Sequence, residues 1–191
     1  MSRLVAGSNI TDLLAVAPKV KLDGGTPSVW HFPEASGYTS KVGTCVCLSG
    51  SASTAKVLAD IGTDASGYGV LGFLAEDAGN VLSNKTAVYI ATPDTVFVGN
   101  VNEVTTSANA QTAATDVGQC YGIANLSGKA YIDKTKTAMS SVLCRIIGLH
   151  EQDNHPCFYG RAYFVVPTNK CQLYTTDWVH ASGYTAYGLQ I

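Results

Sequence analysis

The strongest constraint on this chain is its rhythm: short apolar runs of period two, cut by Gly, Ser, Asn and Pro, with no long amphipathic helical stripe. Val42 to Leu48 alternates and ends at Ser49-Gly50. Val70 to Leu74 is a short apolar run. Ala87 to Ala91 and Val96 to Val98 flank Thr92-Pro93-Asp94, a turn with proline in it. Cys120 to Ile123, Ala130 to Ile132, Val142 to Leu149 and Ala162 to Val166 follow, and the last two read as central strands because they are rich in β-branched and aromatic residues. Gln172 to Tyr174 and Thr185 to Leu189 are candidates for one or two more strands. Thr11 to Val16 and Ser107 to Thr115 are the only weak helix signals. Parallel α/β folds need crossover helices, and none is visible, so the pattern predicts an all-β fold, a sandwich or barrel.

A chain of 191 residues suits one domain, or one domain with an arm. Residues 1 to 28 lack alternation and contain Pro18, Asp23-Gly24-Gly25 and Thr26-Pro27, which reads as an N-terminal arm leading into a single β-rich domain over 29 to 191. The tetrapeptide Ala-Ser-Gly-Tyr recurs at 35–38, 65–68 and 181–184; its unequal spacing marks reused turn chemistry rather than a solenoid repeat.

Charge narrows the function. Only 14% of residues are charged, against roughly 25% in an average soluble chain, and net charge is −2. A surface so poor in charge lacks a usual guard against self-association and suits a protein covered by other subunits. The three arginines (Arg3, Arg145, Arg161) and nine dispersed lysines form no basic stripe, which argues against direct nucleic-acid binding. No apolar run reaches the length of a membrane span, and the interrupted N-terminal stretch is not a signal-peptide core, so neither membrane nor secretion is expected.

Chemical motifs are sparse. Ser53-Thr54-Ala55-Lys56 matches S-x-x-K but lacks the partner elements that chemistry needs. His150, His155 and Cys157 are the densest set of zinc-type donors, with Glu151 and Asp153 as oxygen donors, yet their spacing fits no standard site and reads as a polar turn. Glu76 and Asp77 are adjacent, so on a strand they would face opposite ways rather than one substrate. Six cysteines (Cys45, Cys47, Cys120, Cys144, Cys157, Cys171) read as reduced, mostly buried thiols, and Cys45 and Cys47 as parallel side chains on one strand. No catalytic, metal or cofactor residues are therefore assigned, and no enzyme is expected. Ten tyrosines, including Tyr159, Tyr163, Tyr174, Tyr184 and Tyr187, together with Trp178, suit an interface as well as a sheet.

In order, Leu71-Gly72-Phe73-Leu74-Ala75-Glu76-Asp77, Val88 to Phe97, Asp116-Val117-Gly118, Tyr121-Gly122-Ile123, Tyr131-Ile132-Asp133, Val142 to Gly148 and Gly160-Arg161-Ala162-Tyr163-Phe164 carry a resemblance. Over roughly residues 30 to 167 the chain resembles small β-rich virion proteins encoded among the head genes of tailed bacteriophages and, more loosely, capsid decoration (cement) proteins. The resemblance rests on pattern, and it transfers no functional residue. It implies a β-barrel or β-tulip-like sandwich with a capsid-gripping arm, no catalysis and no cofactor. It further implies the major capsid protein as partner, a homo-oligomer such as a trimer, assembly in the bacterial cytoplasm and a place on the virion's capsid surface. A tail- or fibre-associated receptor or glycan-binding module is the alternative, with Asp177 beside Trp178 as its candidate site. The high cysteine content departs from the pattern.

Overall fold

A computed structural model describes residues 14–34, 37–49, 57–61, 69–79, 85–102, 110–126 and 128–173. The described chain is all-β: β1 (Ala17–Lys21), β2 (Val29–Pro33), β3 (Cys45–Ser49), β4 (Val57–Asp60), β5 (Gly72–Leu74), β6 (Lys85–Ile90), β7 (Thr95–Asn102), β8 (Gln111–Thr112), β9 (Cys120–Leu126), β10 (Lys129–Asp133), β11 (Cys144–Leu149), β12 (Cys157–Phe158) and β13 (Arg161–Val165). Two short 3-10 turns, Ala114–Asp116 and Thr168–Lys170, are the only helical pieces among these residues. Where a helix was weakly signalled over 107–115, Gln111–Thr112 forms β8 and the 3-10 turn begins at Ala114. Ala110, Ala113 and Ala114 stand at helical spacing but are small and too few to make a helical stripe, and the pairing of β8 with β12 decides the conformation.

Strand β7 organises the molecule. Along one edge it pairs antiparallel with β1 and then, at Val101 and Asn102, parallel with β10; along the other it pairs antiparallel with β13. The ring β7-β10-β9-β11-β13-β7 closes into a five-stranded barrel, with β1 attached to its outside. Closure removes free edges. One face of each strand points inward: Phe97 and Val101, Ile132 and Ala130, Ile123 and Tyr121, Cys144 and Ile146, Phe164 and Ala162. Gly99 makes room, since a Cβ there would meet the Phe164 ring at 3.0 Å and Val16 at 3.2 Å.

The second sheet, ordered β2-β6-β5-β3-β4, packs against the barrel. Its alternation separates two apolar cores rather than core from water. Cys45 and Cys47 of β3 and Phe73 of β5 join the main core, while Val46, Leu74, Val88 and Ile90 line a smaller one closed by Leu58 and Leu71. The Phe73 ring lies 4.7 Å from Phe97 and 5.8 Å from Phe164. Gly72 is required where β5 meets β6, because a Cβ would come within 2.0 Å of the Tyr89 carbonyl oxygen. A parallel bridge between Glu34 and Leu58 brings the end of β2 beside β4, so this sheet curls around its own core. Glu34 is buried there and its Oε1 accepts from Gly79 N and Thr86 Oγ1.

Two side-chain amides fasten this sheet to the rest by imitating a strand. Asn125 accepts from Cys45 N at 2.9 Å and donates to Cys45 O at 2.9 Å; Gln172 accepts from Leu48 N at 2.7 Å and donates to Leu48 O at 3.0 Å. Leu48 lies beyond β5, which pairs with Cys45 and Val46, and the Cys45 carbonyl also accepts from Ile61 N at 3.0 Å.

Part of the segment expected as an arm is built into the body. Val16 is buried in the main core and β1 lies in register on β7, from Ala17 opposite Val98 to Lys21 opposite Thr95. Residues 1–13 and the expected strand at 185–189 fall outside the described residues, and Gln172–Leu173 is a turn rather than a strand.

Candidate interaction surfaces

The residues with the most chemical promise in the sequence hold the fold. The 150–157 turn is locked from within. His155 Nε2 lies 2.9 Å from the carbonyl oxygen of His150, which can only accept, so that nitrogen carries hydrogen. Nδ1 is engaged by Thr112 Oγ1 at 2.6 Å, so neither ring nitrogen is open to a metal. His150 is buried against Tyr163, ring centroids 5.4 Å apart, and burial lowers its pKa. Asp153 grips Arg161 through its Oδ1 at 2.7 Å from Nη2 and its Oδ2 at 2.7 Å from the Arg161 main-chain N–H. Burial alone would raise the Asp153 pKa, but the Arg161 guanidinium and main-chain N–H outweigh it and hold the carboxyl below its ordinary range. Cys157 sits half-buried on β12. No group of three metal-ligating side chains occurs among the described residues.

Glu76 and Asp77 do diverge. Glu76 accepts from Ala87 N at 2.8 Å, while Asp77 accepts from Val42 N at 2.8 Å and Lys41 Nζ at 2.9 Å. Each ties a loop to a neighbouring segment. Cys45, Cys47, Cys144 and Cys171 are buried and unbonded, and burial pushes the Cys47 thiol up to about 11 and that of Cys171 to about 12. Buried, protonated thiols act as small apolar side chains, not nucleophiles. Ser53 to Lys56 and Asp177-Trp178 lie outside the described residues.

The tyrosines singled out by sequence, where they are described, are half-buried and make contacts within the fold. Tyr163 stacks on His150 and donates to Glu151 at 2.7 Å, and Tyr159 packs beside Ala124 and Tyr131. Tyr174, Tyr184 and Tyr187 are outside the described residues.

Exposed apolar side chains gather on the ribbon of chain that runs from β1 through its turn to β2, two strands of different sheets, and occur also at Val42, Val117, Met139, Ile147 and Phe158. Leu22 is 65% exposed and Trp30 48%, with Val20 and Val29 also open. The Trp30 ring stacks near Phe32, centroids 6.5 Å apart at 22°, which holds the indole as a flat shelf. The two strands differ in how their outer edges are guarded. β1 carries Pro18, Lys19 and Lys21, residues that deter pairing with another chain. β2 is Val29-Trp30-His31-Phe32-Pro33, paired with β6 on one side and without a formal charge along its length until the bridge at Glu34. The sequence signal was present in the Val29-Trp30-His31-Phe32 alternation, but whether those side chains were covered depended on strands far away in the chain.

Compared with protein families, with curated proteins and with solved structures, the chain matches none.

Proposed function

We propose that this chain is a structural, non-catalytic virion protein of a tailed bacteriophage: a decoration protein that assembles with copies of itself, as a trimer, and clamps the major capsid protein on the outer surface of the head. The observation that carries this reading is the exposed stretch Val29 to His31 of β2, without a formal charge and with its Trp30 shelf, in a chain whose ionisable clusters are consumed in fixing loops. Interfaces favour aromatic anchors and disfavour charge at their centre. The family resemblance of the sequence points the same way. Many identical contacts on a closed lattice add through effective concentration, so a modest interface per copy suffices to brace a shell against packaged DNA.

The test is to mix the purified chain with heads assembled without it and to image the particles by electron microscopy. Saturation at a fixed number of copies per capsomer, with residues 1–13 required for attachment, is the expected result. Deletion should stop at residue 13, because Val16 and β1 belong to the folded body. Density at the tail tip, or a chain that leaves the heads bare, would overturn the proposal.

A further inference from the structure

The outer face of the barrel holds a groove that the docking reading does not use. Its floor is a rank of three side chains on adjacent strands: Cys120 of β9 opposite Arg145 of β11, and Arg145 opposite Val165 of β13. Their neighbours along the chain, Tyr121, Cys144, Ile146 and Phe164, point into the core, so period-two alternation puts these three outside. One wall is the 137–142 loop with Met139 and Val142; the other is the 3-10 turn at Thr168–Lys170 with Pro167 before it. Lys170 Nζ spans the gap to donate to Met139 O at 3.3 Å. The cavity is about 750 Å³, within the usual range for ligand sites.

The lining combines apolar walls with uncompensated positive charge. Lys21, Lys41, Lys134 and Arg161 each pair with a carboxylate elsewhere in the fold. Arg145, by contrast, is exposed and forms no ion pair among the described residues. Among the described residues, Lys170 engages only a carbonyl, and no aspartate or glutamate lines the groove. A guanidinium fork takes a carboxylate through two parallel hydrogen bonds. Among the described residues no aromatic ring lines the cavity, so they offer nucleobases or sugars no stacking platform. Met139, 90% exposed at the rim, gives an adaptable apolar contact suited to side chains of differing shape.

We infer that this groove binds an apolar peptide segment carrying a carboxylate side chain, the acid seated on Arg145 and Lys170 and its apolar neighbours against Met139, Val142 and Val165. The site stands or falls independently of the capsid reading. The experiment is to pan the purified full-length chain against a random displayed-nonapeptide library, with counter-selection on the Arg145→Gln, Lys170→Gln double variant. The expected pool is enriched in Asp or Glu flanked by apolar residues. A synthetic copy of an enriched peptide should lose tenfold or more in affinity when its acid becomes the amide, and similarly against Arg145→Gln, with Arg145→Lys intermediate. Bound peptide should also slow iodoacetamide alkylation of Cys120 while leaving Cys157 unchanged. Because Arg145 is exposed, equal unfolding midpoints will show that the variants fold. Four outcomes would overturn the inference: no enrichment, enrichment without acid preference, equal binding to the double variant, or displacement by single-stranded DNA or a fatty acid in place of competing peptide. A Cys120 that resists alkylation in the free chain would also overturn it, since the groove would then be filled from within.

Discussion

Strands β3 and β2 are both short, apolar and nearly free of charge, yet the first three residues of one are a buried wall and the first three of the other are exposed. Cys45 and Cys47 on one face of β3 meet the barrel core while Val46 on the other meets the small core, and all three are buried. Val29, Trp30 and His31 of β2 are exposed. The difference lies not in the strands but in what reaches them. β3 has β4 and β5 as neighbours and the barrel behind it, with Asn125 and Gln172 completing its main-chain hydrogen bonds. β2 has β6 along one edge and, on the other, only the bridge of the next residue, Glu34, to Leu58. Apolar alternation therefore specifies a strand, and topology decides whether its surplus apolar face becomes core or contact surface.

The contrast breaks most visibly if the wall is not a shared core. Phe73 reaches from β5 to Phe97 and Phe164. Replacing it with Ala should cost about 3–5 kcal/mol by urea unfolding monitored by fluorescence. A loss below about 1 kcal/mol would mean the second sheet is only loosely attached.

Next in size is the lock beneath the 150–157 turn. Asp153→Asn leaves the mostly buried Arg161 without its counter-charge and should cost about 3 kcal/mol at neutral pH. The carboxyl ionises at lower pH in the folded chain than unfolded, so its contribution is complete above the ordinary carboxylate range, near about 3.9, and is lost as pH falls through the folded value. Stability of the wild type and of Asp153→Asn should therefore converge in acid. A gap that persists unchanged below about pH 3 would assign the effect to packing instead.

Much of this fold was legible and some was not, for reasons visible in particular residues. The runs at 42–48, 70–74, 87–91, 96–98, 120–123, 130–132, 142–149 and 162–166 all contain strands, because each is covered on at least one face by apolar neighbours. Ala17-Pro18-Lys19-Val20-Lys21 was hidden: proline and alternate lysines are how a chain marks an edge, and an edge strand borrows its order from β7. The pattern pointed to a sandwich or barrel, but which strands close the ring was not legible, since closure hangs on the parallel contact of Val101 and Asn102 with Ile132 and Asp133, some thirty residues away. The bland reading of the 150–157 turn and of Glu76-Asp77 could be made from spacing alone. The groove could not, because Cys120, Arg145 and Lys170 have no common sequence motif and meet only through strand register.

Asn125→Ala separates the body from its fastening more gently. It strips Cys45 N of its partner, while Cys45 O keeps the Ile61 main-chain N–H at 3.0 Å, and should cost about 1–3 kcal/mol. Hydrogen exchange gives the finer readout: faster exchange at Cys45, with the barrel amides of Tyr121 to Ile123 unaffected, is expected.

The smallest effect on stability is expected at Trp30, and it is the most informative about the open ribbon. Trp30→Lys gives β2 the same guard that Lys19 and Lys21 give β1. Because the ring is 48% exposed and stacks on Phe32, the unfolding free energy should move by about 0.5 kcal/mol or less. Self-association should nevertheless disappear, since one charge on an unpaired edge penalises strand addition and also empties the centre of an aromatic contact. Light scattering behind a sizing column reads this directly, and Leu22→Lys on the same ribbon supplies the control for distance from the edge. If the assembly survives Trp30→Lys and dissolves with Leu22→Lys, the contact runs along β1 and its turn, and the guard on β1 is not one. If it survives both, the ribbon is only surface, and the likeness between β2 and the buried wall has no consequence for how copies meet.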